Sequence, residues 1–297
     1  VSVDFSPHTI ESTEKRIKQF TRILNHASNM QEEPEIIGNT MKRKIISNFS
    51  KEGYLKTINS IKQYIRQGDI YQVNLSQRFQ TQIDIPPHEI FRKLRKINPA
   101  PFSCYLKFDN KYVISSSPER FLSLRNIPNL DNRTNDLIMR KVQTRPIKGT
   151  RPRYSHSDLN QKMKDALLSS KKDDSELTMI VDMERNDLGR VCSYNSVNVT
   201  AKKELEEHPT VYHLVATIEG SLHPRNDVID LIRATFPGGS ITGVPKVRAM
   251  QIIDELEPTR RNVYTGAIGY LSFNGNIDLN IAIRTFLVKV DHIYFQS

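Results

Sequence analysis

Apolar side chains recur at helical spacing in two stretches near the start of the chain. Residues 10–28 (IESTEKRIKQFTRILNHAS) and residues 51–67 both show the period of an amphipathic helix. Ser50 is placed to cap the second helix at its N-terminus, and Gly68 is placed to end it. Residues 29–45 are polar and predict a connector between the helices. The apolar stripe of the second helix consists of Tyr54, Leu55, Ile58, Ile61 and Ile65.

Period-two alternation predicts strands further along the chain. Residues 71–79 (YQVNLSQRF) are typical of one strand, and residues 101–117 of two strands joined at Asp109-Asn110. Residues 263–290 predict a long hairpin that turns at Asn274-Gly275, a dipeptide typical of two-residue hairpin loops. Further strands are predicted over residues 194–222, with a break near EEHP, and helices over residues 156–189, 226–235 and 244–256. Long antiparallel strands with helices in separate runs indicate an α+β fold.

The composition is that of a soluble globular protein with a sizeable core. Of the 297 residues, 37% are hydrophobic and 26% are charged. No apolar stretch approaches the roughly 20 residues that cross a bilayer, and the N-terminus shows no signal-peptide pattern. Cys104 and Cys192 favour neither a disulfide framework nor a zinc site, so we expect a reducing cytoplasm. Residues 125–136 (RNIPNLDNRTND) are polar and predict a surface loop or disordered insertion.

The net charge of +10 raises nucleic-acid binding as an alternative function. The 43 Lys and Arg residues are, however, spread along the chain and mixed with 33 Asp and Glu residues. Runs such as EKRIKQF and FRKLRKINP are typical of the solvated faces of amphipathic helices. No zinc-finger, RNP or basic-zipper pattern occurs. We therefore expect neither a nucleic-acid partner nor a membrane.

Two stretches place an ionisable side chain where catalysis is possible. In SSSPERF, Glu119 follows a proline at the end of an apolar strand, and it is either an acid in a site or a rim carboxylate paired with Arg120. In QTRPIKGTRPR, Lys148 is either a solvated loop lysine or an amine whose pKa is lowered by neighbouring positive charge, so that it can act as a nucleophile. The candidates for that charge are Arg145, Arg151 and Arg153.

Two further stretches suggest a metal and an anion. In DDSELTMIVDMERNDLGR, Glu176 lies on a helix face with Ile180, where a carboxylate either ligates Mg²⁺ or has a structural role. Arg185, Asn186 and Asp187 are expected to secure the end of that helix. FPGGSITGVPKVRAM resembles a phosphate loop but has Val244 where that loop requires Lys, so we reject a nucleotide site. Its glycine-rich turn can still hold a carboxylate through backbone N–H groups.

Six stretches taken together resemble the chorismate-utilising enzymes. GDIYQVNLSQRF, SSSPERF, TRPIKGTRPR, MIVDMERNDLGRV, FPGGSITGVPKVRAM and TGAIGYLSFNGNIDLNIAIRT follow the order typical of that family, over roughly residues 50–297. The resemblance implies a four-layer α/β/β/α fold with two packed, mostly antiparallel sheets. PIKGT resembles the aminodeoxychorismate synthase component I branch, whereas anthranilate synthases typically carry Ala at the position of Lys148.

The resemblance implies a route to 4-amino-4-deoxychorismate, a precursor of 4-aminobenzoate and folate. Uncharged Lys148 would add to C2 of chorismate while Glu119, as general acid, protonates the departing C4 hydroxyl. Ammonia from a separate glutamine amidotransferase subunit would then attack C4 and expel the lysine. Mg²⁺ would bridge the C1 carboxylate of the substrate to Glu176.

Further positions are implied by the resemblance to bind the substrate. Arg284 and Tyr264 would hold a carboxylate, since a guanidinium pairs with a carboxylate through two hydrogen bonds. For His213 the alternative is a satisfied histidine in a strand, and for Lys246 it is a solvated lysine at a helix start. The remaining implied positions are Thr242, Gly243 and Gly266.

The chain departs from the family at both ends. Residues 1–45 would be a remnant of an N-terminal subdomain with its connector, and residues 46–297 a catalytic domain without the family's last strand and acidic helix, which bears the second Mg²⁺ ligand. The first residue is Val rather than Met, so we expect a portion of a longer product. Two alternatives stay open: anthranilate synthase component I, which makes anthranilate and pyruvate, and a basic binding protein built on a degraded enzyme scaffold.

Overall fold

The computed structural model describes residues 10–28, 43–128 and 138–297. The chain divides into two compact units, residues 1–40 and residues 41–297. In the first unit, helix α1 (Ile10–Ser28) occupies the residues predicted from the sequence. Most of the predicted connector and residues 129–136 of the polar insertion lie outside the described residues, whereas residues 125–128 end a strand.

Six antiparallel strands form the first sheet of the second unit. In spatial order they are β1 (Ile46–Ser47), β3 (Arg78–Gln82), β15 (His292–Gln296), β14 (Thr285–Lys289), β5 (Lys111–Ser117) and β4 (Phe102–Phe108). Helix α3 (Pro87–Ile97) packs its apolar residues Ile90, Phe91 and Leu94 against Ile114 and Val288 of this sheet. Strands β4 and β5 are joined at Asp109-Asn110, as predicted.

Seven strands form the second sheet, which is also antiparallel. In spatial order they are β12 (Ala267–Leu271), β13 (Ile277–Ile281), β6 (Arg120–Pro128), β7 (Ile138–Arg145), β10 (Val211–Ser221) and β8 (Ile147–Pro152), with β9 (Asn198–Glu207) also paired to β10. Helices α4 (Ser157–Leu168), α5 (Lys171–Gly189) and α6 (Val228–Thr235) contribute Leu167, Leu177 and Leu231 to its core. Two antiparallel sheets with helices in separate runs confirm the α+β prediction.

Helices α2 (Lys51–Gln67) and α7 (Lys246–Leu256) share a small core around Ile61 and Ile252. Both predicted caps of α2 are present: Ser50 Oγ accepts a hydrogen bond from the N–H of Gly53 (3.0 Å), and Gly68 adopts the left-handed conformation (φ 82°). The predicted stripe of α2 is only partly right. Its members Leu55 and Ile65 are exposed to solvent.

Two strand predictions are wrong in extent. Residues 71–79 do not form one strand, because β2 (Gln72–Val73) pairs with β11 (Gly243–Val244) in a separate ribbon and β3 begins only at Arg78. The hairpin predicted over residues 263–290 is right for β12 and β13, but it ends at Ile281. The next strand, β14, belongs to the other sheet.

The chain crosses between the two sheets at two adjacent places. Residues 118–119 lead from β5 into β6, and residues 282–284 lead from β13 into β14. Because β5 pairs with β14 and β6 pairs with β13, the two segments lie side by side. The N–H of Ile281 donates to the carbonyl of Glu119 (3.1 Å) at this point. We refer to these two segments as the paired crossings.

Replacing Ser117 by Ala should weaken the paired crossings. Ser117 Oγ is fully buried and donates to the carbonyl of Ile281 (2.6 Å), so its loss removes a hydrogen bond between the two segments. We expect the free energy of unfolding to fall by about 1–2 kcal/mol, measured by urea denaturation. Ser60→Ala, which removes a solvent-exposed hydrogen bond to Lys56 within α2, is the control. Equal stability of Ser117→Ala and the unmodified protein would contradict this role.

Candidate active site

The paired crossings border a cavity of about 520 Å³. Glu119 and Arg284, one from each crossing, line it together with His213, Tyr264 and Ser240. Arg284 has a left-handed backbone (φ 49°), an unfavourable conformation that is found preferentially at functional sites. Its guanidinium makes no hydrogen bond or ion pair with any described residue, so it is available to an anionic ligand.

Glu119 keeps its proton at pH values well above those at which a glutamate side chain usually ionises. It is 3% exposed, and burial raises its pKa to about 7. The N–H of Ile147 donates to its Oε1 (3.2 Å). The alternative partner, Arg120, instead binds both carboxylate oxygens of Asp278 (2.9 and 3.0 Å). Glu119 is therefore suited to donate a proton to a ligand in the cavity rather than to form a rim ion pair.

Lys148 lies on β8 with its side-chain nitrogen against the glycine-rich turn. Its Nζ donates to the carbonyl of Ser240 (3.0 Å). Burial lowers the pKa of Lys148 below its ordinary value, although the charges of Glu119, Glu176 and Glu184 oppose this shift. The direction is the one expected of a nucleophilic amine, but the main cause is desolvation.

The arginines near Lys148 in the sequence are not the source of its shift. Each of them faces a carboxylate, so its positive charge is largely compensated. The predicted electrostatic cause is therefore wrong. The pairs are Arg145 with Glu206 (2.6 Å), Arg151 with Asp173 (2.8 Å) and Arg153 with Glu207 (4.0 Å).

His213 is a neutral imidazole with one nitrogen left for a ligand. Its Nδ1 lies 2.9 Å from Thr150 Oγ1, opposite it across β10 and β8. Burial, followed by the charges of Arg284 and His208, lowers the pKa of His213 to about 4. Nε2 is buried and has no hydrogen-bond partner among the described residues. His213 is thus not the fully satisfied strand histidine that the sequence left open.

Tyr264 contributes an aromatic ring and a hydroxyl to the same cavity. The guanidinium of Arg261 lies 5.9 Å from the centre of its ring, and Arg261 is itself bound to Glu257 (2.6 Å). Burial raises the pKa of the Tyr264 hydroxyl, so it remains a neutral hydrogen-bonding group.

The predicted residues of the glycine-rich turn shape the backbone rather than line the cavity. Thr242 is buried, and its Oγ1 donates to the carbonyls of Gly238 (3.1 Å) and Gly239 (3.2 Å). A Cβ atom on Gly243 would lie 2.2 Å from a backbone oxygen of the neighbouring strand β2, so only glycine fits there. Gly266 is less restricted, since its Cβ would meet the nearest backbone atom at 3.0 Å.

Lys246 is bound inside the protein and does not line the cavity. Its Nζ donates to Asp187, to the carbonyl of Thr235 (2.9 Å) and to the carbonyl of Pro237 (2.8 Å). These three acceptors match the three N–H donors of an ammonium group. The alternative of a solvated lysine is therefore wrong, and the role of Lys246 in substrate binding stays a prediction. Asp187 secures Lys246 through its side chain rather than the helix end.

Glu176 is the predicted metal ligand, and it lies on α5 with its side chain 30% exposed. Its recorded partner is Lys172, at 3.8 Å, so its oxygens remain accessible. Among the described residues, no group of three or more His, Cys, Asp or Glu side chains is arranged to hold a metal ion. A single accessible carboxylate fits only an ion that takes its other ligands from water or a substrate, as Mg²⁺ does.

Glu184 is a site residue that the sequence analysis missed. It is 6% exposed, adjoins the glycine-rich turn, and affects the pKa of Lys148. The sequence did contain a signal for Glu184, because it shares one buried stripe of α5 with Leu177, Ile180 and Leu188. A glutamate on such a stripe is unusual and marks a buried polar contact.

Comparisons with known proteins now decide the family. A family model described as chorismate binding enzyme matches residues 5–297. The chain belongs to this family. The six-motif resemblance is therefore confirmed. The crystal structure of anthranilate synthase component I from Streptococcus pneumoniae TIGR4 matches with a TM-score of 0.81 at 32% identity, over 99% of this chain and 62% of that one. This match also confirms the fold that the resemblance implied.

The relatives of this chorismate binding enzyme carry two different names. It is 46% identical to aminodeoxychorismate synthase component 1 of Klebsiella aerogenes, over 84% of this chain and 53% of that protein. It is 42% identical to anthranilate synthase component 1 of Aquifex aeolicus, over 84% of this chain and 48% of that protein. The chain thus spans about half the length of these curated relatives.

Replacing Glu119 by Gln should flatten the pH dependence of stability. A carboxyl group whose pKa rises from 4.5 to about 7 on folding stabilises the protein fully below pH 4.5, and this contribution is lost as the pH rises through 7. The unmodified protein should therefore lose about 3 kcal/mol more than Glu119→Gln between pH 4.5 and pH 8. Urea denaturation at a series of pH values measures this difference. Glu52→Gln, in the exposed part of α2, is the control, and parallel curves for all three proteins would refute the assignment.

Proposed function

We propose that this enzyme aminates chorismate at C4 with ammonia to give 4-amino-4-deoxychorismate. The observation that supports this choice is the placement of Lys148. Its amine is desolvated and hydrogen-bonded to the Ser240 carbonyl, and it interacts with Glu119, the carboxyl group that lines the cavity. A neutral amine and a protonated acid are the two groups that a covalent amination of chorismate requires.

The proposed reaction has two displacements. In the first, Lys148 Nζ forms a bond to C2, the ring double bond shifts, and the C4 hydroxyl leaves as water with the proton of Glu119. The Glu119 carboxylate then takes a proton from the lysine nitrogen. In the second, ammonia bonds to C4, the double bond shifts back, and the C2–N bond breaks as Lys148 recovers a proton from Glu119. The final proton on the new amine returns to Glu119.

The remaining cavity residues would orient the substrate. Arg284 offers an unpaired guanidinium to a carboxylate of chorismate. His213 would add a hydrogen bond through Nε2, and Tyr264 one through its hydroxyl. Because all three groups lie in one cavity with Glu119, a ring held by them would keep C4 close to the acid.

Magnesium would be held by Glu176 together with substrate and water oxygens. When bound, it would screen the negative charge of a substrate carboxylate that otherwise resists the approach of a nucleophile. Without the ion, the negative charge of Glu176 raises the pKa of Lys148 and so favours its charged form. Neutralising Glu176 would thus favour the uncharged amine.

Ammonia would come from a glutamine amidotransferase subunit in the cytoplasm, and the product would serve 4-aminobenzoate and folate synthesis. The names of two relatives support the proposal of a second subunit. The relatives from Klebsiella aerogenes and Bacillus subtilis are named component 1 of aminodeoxychorismate synthase, and a component 1 implies a second component. No helix in the described part of the chain is long and apolar enough to span a bilayer.

Anthranilate synthesis is the second candidate. The 42% identity to the Aquifex aeolicus enzyme favours it, because that figure lies within the 40–46% range of the aminodeoxychorismate synthases. The lysine distinguishes the two, since the anthranilate reaction needs no amine nucleophile at that place.

The product formed from chorismate, Mg²⁺ and ammonia tests the proposal directly. We expect the full natural chain to give aminodeoxychorismate, which an added lyase converts to 4-aminobenzoate. Chromatography with fluorescence detection separates this compound from anthranilate. Release of pyruvate with anthranilate, in the absence of the lyase, would overturn the proposal in favour of the second candidate.

Replacing Lys148 by Ala should abolish amination at C4. The variant lacks the nucleophile, so the ring can no longer be activated through C2, and we expect the rate to fall by a factor of at least 10². Lys141→Ala, which removes a lysine paired with Glu219 on the same sheet, is the matched control. Amination at an unchanged rate by Lys148→Ala would eliminate the covalent mechanism, whereas new anthranilate formation would agree with it.

A further inference from the structure

Glu184 is a buried carboxyl group that the proposed reaction does not use. Thr144 Oγ1, on β7, donates to its Oε2 (2.8 Å). On its other side lies Gly239, where a Cβ atom would stand 3.1 Å from Glu184 Oε1 and 3.2 Å from Glu184 Cγ. The nearest atom to that Cβ would be Met183 Cε, at 2.6 Å, so Gly239 packs against the side chains of both Met183 and Glu184. Glu184 is held between the seven-stranded sheet and the glycine-rich turn.

The glycine-rich turn provides the hydrogen-bond acceptor of Lys148. The carbonyl of Ser240, the residue after Gly239, accepts hydrogen bonds from Lys148 Nζ (3.0 Å) and from Asn74 Nδ2 (3.0 Å). Any displacement of Gly239 thus moves the acceptor of Lys148. Thr242 Oγ1 donates to the carbonyls of Gly238 and Gly239, so the turn is held by one of its own hydroxyl groups and also packs against Glu184.

The groups around Glu184 favour its uncharged form. Burial is the main reason that its pKa rises to about 8, and the carboxyl groups of Glu119 and Asp187 add to the rise. Thr144 and Lys246 oppose it, but the charge of Lys246 is already bound to Asp187. An ionised Glu184 would also stabilise the ammonium form of Lys148, which is not nucleophilic.

We propose that Glu184 is a positioning residue, whose side chain holds Gly239 and the Ser240 carbonyl in place for Lys148. Its importance for turnover rests on the proposed function, in which Lys148 is the nucleophile. Its effect on the position and charge of Lys148 does not depend on which product the enzyme makes.

Two substitutions separate shape from charge. Glu184→Gln keeps the size of the side chain, still accepts from Thr144, and cannot ionise, so it should retain the kcat of the unmodified enzyme at pH 7. Glu184→Ala leaves a gap beneath Gly239 and should lower kcat roughly 10- to 100-fold, with a smaller effect on KM. Asp182→Asn, which makes the same chemical change on the exposed face of α5, is the matched control and should have no effect.

The charge of Lys148 is the second readout, and a merely structural role would not move it. The rate at which a small amine-selective reagent modifies Lys148, followed by peptide mass spectrometry across the pH range, reports the uncharged amine. Above about pH 8, Glu184→Gln should react faster than the unmodified protein, because the latter ionises Glu184 and recharges Lys148. Glu184→Ala should show an altered profile already at pH 7.

Three results would overturn the proposal. They are an unchanged kcat in Glu184→Ala, a Glu184→Gln variant as impaired as Glu184→Ala, or identical labelling profiles in all the proteins. If Glu184→Ala does not fold, Thr144→Val removes only the hydroxyl donor and should lower kcat in the same direction by a smaller factor. Formation of anthranilate together with the expected labelling profiles would defeat the proposed function and support the positioning role.

Discussion

The paired crossings are the constraint on which the site depends. An antiparallel strand pair is held together by its ladder, so when β5 continues into β6, its neighbour β14 must meet β13 at the same point. Glu119 and Arg284 are far apart in the chain, yet this geometry makes them neighbours. It also buries the Glu119 carboxyl group, whereas Arg284 stays exposed beside the same cavity. Arg284 has a left-handed backbone, and its carbonyl is held by the N–H of Ser116 in β5 (3.1 Å).

Desolvation then assigns the chemical roles. The same loss of water raises the pKa of the Glu119 carboxyl group and lowers the pKa of the Lys148 amine and the His213 imidazole, because in each case the charged form is the one that burial penalises. Burial thus favours the protonated form of the acid and the uncharged form of the amine in the same site. The positive charges of the lysine motif take no part, since Arg145 and Arg151 are paired with carboxylates outside the cavity. The net charge of +10 accordingly says little about the reaction.

Local physics explains which parts of the fold could be read from the sequence. The α2 caps, the hairpin at Gly275 and the β4–β5 pair are set by residues close in the chain, and all were predicted. The change from one sheet to the other after Ile281 was not predicted, because apolar and polar side chains alternate in the same way along a strand whichever sheet it joins. Lys246 was misjudged for a related reason: its three acceptors come from segments that meet it only in the folded protein. Glu184 could have been found, since it interrupts an otherwise apolar stripe of α5.

The same reasoning explains how one scaffold can serve relatives with different names. Glu119 and Arg284 lie on backbone segments that join the two sheets, so the fold keeps both positions beside the cavity. Lys148 stands on β8, and its nitrogen has one hydrogen bond, to the carbonyl of Ser240. The fold depends on the next residue, Gly149, rather than on Lys148. Gly149 has φ 83°, and a Cβ atom there would lie 2.9 Å from the side chain of Leu167 in α4. Exchanging the lysine for a small residue would therefore alter the chemistry of the site while leaving the packing of β8 on its helices intact. A reaction that depends on one such side chain can therefore change while the fold stays the same.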